Sequence, residues 1–64
     1  MLIPEYSKKI RDLRLSLGMT REQFAVRLGV SMSSVIRWET GRGEPAQLAQ
    51  KMINQLSDQK GDKS

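Results

Sequence analysis

Residues 13–45 read LRLSLGMTREQFAVRLGVSMSSVIRWETGRGEP, and their stop and start signals decide the fold. Gly18 supplies the left-handed residue that ends a helix. Thr20-Arg21-Glu22-Gln23 then forms a capping-box pattern, in which the Thr hydroxyl and the Gln amide each satisfy an orphan backbone group. A second helix is therefore expected from Arg21, with Phe24, Ala25 and Leu28 on one face, closing at Gly29 after about two turns. Ser31 repeats the N-cap signal, so a third helix follows from Met32 to about Thr40, ended by Gly41.

Two short helices joined by Gly29-Val30-Ser31 must cross at a large angle, the geometry of a helix-turn-helix. Phe24, Ala25, Leu28, Val30, Val35 and Trp38 are the expected packing of the inside of that corner. With Met32 at zero and about 100° per residue, Ser33 falls near 100°, Ile36 near 40° and Arg37 near 140°, against Val35 near 300° and Trp38 near 240°. If Val35 and Trp38 are buried, Met32, Ser33, Ile36 and Arg37 face outward.

Outside this stretch, Ile3, Tyr6, Ile10, Leu13 and Leu17 recur at helical spacing, giving a first helix from about Pro4 to Leu17. Pro4 suits a first turn. The two glycines of Gly41-Arg42-Gly43-Glu44 mark a loop, and Pro45 is expected to open a fourth helix with the stripe Leu48, Met52 and Leu56, flanked by Ala49 and Ile53. Residues 58–64 have no large apolar side chain and are expected to be a polar, disordered tail. The fold class is all-α: about four helices in one domain over residues 1–57.

The 64 residues contain no cysteine and no histidine, which removes disulfides, thiol nucleophiles, the usual zinc ligands and the imidazole base. A chain this short buries only roughly 60% of the surface it exposes unfolded and has no room for an enclosed substrate cavity. Neither an enzyme nor a cofactor or metal protein is expected. Eleven basic against seven acidic side chains give +4, with an isoelectric point near 10.0, favouring a polyanionic partner. The charge is spread along the chain and does not mark a site. No run approaches the about 20 apolar residues of a membrane span, so a cytoplasmic protein, associated with the nucleoid when bound to DNA, is expected.

The stretch from Leu13 to Pro45 resembles the Cro and lambda-repressor type of helix-turn-helix, also called the XRE family. The resemblance is carried by Gly18-Met19-Thr20, Phe24-Ala25, Leu28-Gly29-Val30-Ser31 and Trp38-Glu39 followed by Gly41-Arg42. It implies binding to double-stranded DNA, with the third helix in the major groove and the start of the second against a phosphate; a sequence-specific transcriptional regulator, a repressor, is expected, and the small size of the chain adds the expectation that it acts by occupying an operator. Carried across by motif position, the base-reading places are Met32, Ser33 and Arg37, to which the face calculation adds Ile36. The phosphate-contacting places are Thr20, Arg21, Thr40 and Arg42. The family also implies an internal ion pair, here Arg14 with Glu39, and both are left out of the DNA site.

Three departures stand out: Arg21 where many members carry glutamine, Met32 and Ser33 where long amides often sit, and no fifth helix. A homodimer on DNA is expected, with the fourth helix as the self-association surface or the seat of another protein. The alternatives are an antitoxin-like autorepressor that holds a toxin on the Leu48, Met52, Ile53 and Leu56 stripe, and a protein-interaction adaptor that has lost DNA binding. Within that stripe, core packing against the first helix is favoured more for Leu48 and Met52 than for Ile53.

Overall fold

Pro4 holds extended backbone at φ −56° and ψ 149°, and its carbonyl accepts the Ser7 N–H at 3.0 Å, which starts the first helix. The structure is a computed structural model that describes residues 3–61. Four helices follow in order, α1 (Glu5–Ser16), α2 (Arg21–Leu28), α3 (Met32–Glu39) and α4 (Gln47–Gly61). Among the described residues no helix is long and apolar enough to cross a membrane.

The helix ends follow the capping chemistry. Thr20 and Gln23 form both halves of a capping box, with Gln23 N–H donating to Thr20 Oγ1 at 3.1 Å and Thr20 N–H to Gln23 Oε1 at 2.9 Å. Ser31 Oγ accepts the Ser34 N–H at 3.2 Å. The first three helices share one stop: the glycine N–H bonds back three residues and the next N–H five, as in Val30 to the Ala25 carbonyl at 2.9 Å and Arg42 to the Arg37 carbonyl at 2.8 Å.

Gly41 is doubly constrained. Its φ of +77° suits only glycine comfortably, and an added Cβ would lie 2.7 Å from Pro4 Cδ. The start of α1 thus abuts the end of α3, where Ser7 Oγ donates to the Trp38 carbonyl. Ser7 is buried, a role its polarity conceals in the sequence; a small side chain lets the helices approach and gives the Trp38 carbonyl a second donor beside the Gly41 N–H.

Phe24 and Val35 are fully buried at the inside of the α2–α3 corner, with Ala25, Leu28 and Trp38 beside them and Val30 half-buried against them. Ile10 and Leu13 close the core from α1, and Ala49, Ile53 and Leu56 from α4.

At α4 the outcome differs from expectation. Pro45 is buried in the loop and the helix opens two residues later, at Gln47. The buried stripe is Ala49, Ile53 and Leu56, while Leu48 is 74% exposed, Ile53 is 4% exposed, and Met52 packs at the edge. The steps of four and three from Ala49 to Ile53 to Leu56 keep one face of a helix toward a neighbour, whereas the two steps of four from Leu48 to Met52 to Leu56 drift around it. The preference for Leu48 over Ile53 as core is therefore reversed. The helix also runs through 58–60 to Gly61, past the expected boundary at Ser57, a stretch of residue types with no strong bar to helix. The rest of the expected tail, 62–64, lies outside the described residues.

Candidate nucleic-acid interface

Burial of Val35 and Trp38 fixes the rotation of α3 and turns the other side of the helix outward. Met32, Ser33 and Arg37 are exposed, Met32 by 46%. Ile36 is only half-buried and is not among the residues packed against the core. The structure therefore places all four expected base-reading residues on or at the edge of one surface.

The expected phosphate-contacting residues fall at the two ends of that surface. At its beginning, Thr20, Arg21 and Met32 line one shallow depression together with Arg14 and Glu22. Thr20 Oγ1 accepts from Gln23 and keeps its own proton for an outside acceptor. The first-turn N–H groups of Arg21 and Glu22 have no intrahelical acceptor, and the helix dipole adds positive potential there.

At the far end, Arg42 is exposed, held by its backbone bond to the Arg37 carbonyl. The Arg37 guanidinium lies along the same loop, since a Cβ added at Gly43 would be 3.3 Å from Nη2 and 3.6 Å from Nε. Thr40 is different from what its position suggested. Its hydroxyl donates inward, to the Ile36 carbonyl at 2.7 Å, so a phosphate contact from Thr40 would require that bond to break.

Behind the first end lies a charged cluster. Glu39 has a side chain only 1% exposed and is the acceptor for two arginines. Arg14 donates from Nε to Oε2 at 2.6 Å and from Nη2 to Oε1 at 3.1 Å, and its Nη1 donates to the Met19 carbonyl at 3.0 Å. The Arg14–Glu39 pair implied by the resemblance is thus present. Arg21 donates from Nε to the same Oε1 at 3.1 Å. Nothing in the local sequence announces this second bond, because it spans 18 positions and depends on how α2 crosses α3.

Residues 10–56 match the helix-turn-helix family, a span that contains the corner, both of its faces and the start of α4. The chain belongs to this family. It is of the XRE, lambda-repressor-like type, whose class of function is DNA-binding transcriptional regulation. A similar protein is the HTH-type transcriptional activator BcrR of Enterococcus faecalis, 35% identical over 52 residues, covering 81% of this chain and 26% of that protein. The chain thus spans about a quarter of that relative's length. No solved structure matches the chain.

Proposed function

We propose that this domain binds double-stranded DNA in a sequence-specific way, with α3 in the major groove, and regulates transcription by occupying its site, as a repressor. The observation that carries the reading is the outward face of α3, on which Met32, Ser33 and Arg37 are exposed beside half-buried Ile36 while Val35 and Trp38 are buried. In this reading Arg37 pairs with guanine O6 and N7, Ser33 bonds a base edge, and Met32 and Ile36 touch thymine methyls. Thr20, Arg21 and Arg42 hold phosphates on either side, and Thr40 joins them only by giving up its inward bond. Two copies on adjacent half-sites would place their α3 helices roughly 34–36 Å apart, with the exposed Leu48 side of α4 available for self-association.

The test is the salt dependence of binding to duplex DNA. Each phosphate neutralised contributes about −0.9 to the slope of log affinity against log salt. The reading expects a steep slope. A flat dependence, with weak binding throughout, would instead favour an adaptor that docks a protein on the Met32–Ile36 face.

A further inference from the structure

The geometry points to Glu39 as a positioning residue for DNA binding: the buried carboxylate aims the Arg21 guanidinium at a phosphate instead of merely tying it down. The inference rests on the DNA-binding reading above and concerns how one end of the interface is built. Two guanidinium groups share one carboxylate, so the cluster carries a surplus positive charge. Arg14 cannot display it, since its side chain is 12% exposed and its Nε, Nη1 and Nη2 are all engaged. Arg21 can: its side chain is 45% exposed, and among the described residues it makes one side-chain hydrogen bond, from Nε.

A guanidinium is a planar fork with five N–H donors. Holding it by Nε leaves free the edge formed by its two Nη groups, which matches two oxygens of a phosphate. The anchor also removes much of the rotamer entropy that a free surface arginine would lose on binding. Arg21 stands at the first position of α2 beside the Thr20 hydroxyl, and both line the depression next to Met32 at the start of α3. One phosphate seated there would meet the Thr20 hydroxyl, the unpaired first-turn N–H groups and the Nη edge of Arg21. A glutamine at this position can donate its amide to Glu39 but then keeps no charged fork for the phosphate. A lysine has the charge, but as one compact ammonium it cannot serve both partners at full strength.

The experiment measures affinity for a short fluorescent duplex of random sequence, across a salt series, for the wild type, R21K and R21Q, with thermal melts of each free protein. R21K is expected to bind about tenfold more weakly than wild type, close to R21Q, with the salt slope reduced by about one. If R21K binds within about twofold of wild type, charge alone suffices and the inference is overturned. A second comparison asks whether Glu39 acts through Arg21. E39D keeps the charge but withdraws the carboxylate by one methylene from Arg14 as well as from Arg21; with affinities taken per folded molecule from melts of the E39D proteins, it should weaken binding several-fold in the wild-type background and have no further effect on R21Q. Equal losses in both backgrounds, or none in either, would contradict the positioning role. The two levels separate cleanly: a wild type without salt-dependent binding sinks the DNA reading, whereas salt-dependent binding with an unaffected R21K sinks only this inference.

Discussion

The two surfaces of the corner differ in how far their polar groups are already engaged. At the start of α2 nearly everything is fixed internally: Thr20 by Gln23, Arg21 by Glu39, and Glu39 itself by Arg14. On the outward face of α3, Ser33 and the Arg37 guanidinium make no such bonds among the described residues, and Met32 is exposed without a packing partner in the core. The difference matches a division of labour: groups that set register on a uniform backbone gain from being held in place, while groups that read varied base edges need freedom to choose rotamers.

The harshest way to break the comparison is to remove the anchor. Glu39→Gln leaves a buried Arg14 without its carboxylate and should destabilise the fold by about 3–5 kcal/mol, enough to unfold much of so small a domain in a urea titration. Gly41→Ala comes next. The positive φ together with the approach of Pro4 should cost about 1–3 kcal/mol, read as a lower melting temperature.

On the reading surface the effects should move from stability to recognition. Arg37→Ala should leave melting unchanged and cost roughly 1–3 kcal/mol on the preferred site, with relaxed preference at one base pair. Arg42→Ala should weaken binding to all duplexes alike, by about 1 kcal/mol, and lower the salt slope by about one; an unchanged slope would remove it from the phosphate set. Smallest of all is Leu48→Gln, expected to change monomer stability by less than about 0.5 kcal/mol, since its side chain lies in solvent. A large loss would mean that α4 packs differently, and a loss seen only at high protein concentration would reveal a dimer contact.

Most of the corner was legible because its signals are local. Thr20-Arg21-Glu22-Gln23, Ser31 and the glycines at 18, 29 and 41 act on backbone groups within five residues of themselves, and each formed the expected cap or stop. The face calculation for α3 worked because Val35 and Trp38 fix its rotation. At α4 two stripes shared Leu56, and only the docking of the helix, reached through the buried Pro45, selects Ala49 and Ile53 over Leu48. The role of Ser7 and the bond from Arg21 to Glu39 escaped for a related reason. The partners, the Trp38 carbonyl and Glu39, are brought to these side chains by the crossing of helices, which no spacing along the chain encodes. Thr40 shows the opposite case: a local bond to its own helix competes with the outward role its motif position implies.

The central claim is that α3 reads bases with an Arg37 guanidinium free of internal hydrogen bonds among the described residues while the ends of the surface hold the backbone. Selection of sites from a random duplex library at near-physiological salt, run in parallel on wild type and Arg37→Ala, tests it most directly. The account predicts an enriched motif for the wild type and the loss of preference at a single base pair in the variant, with the rest of the motif retained. An identical motif from both proteins, or no enrichment from either, would contradict it.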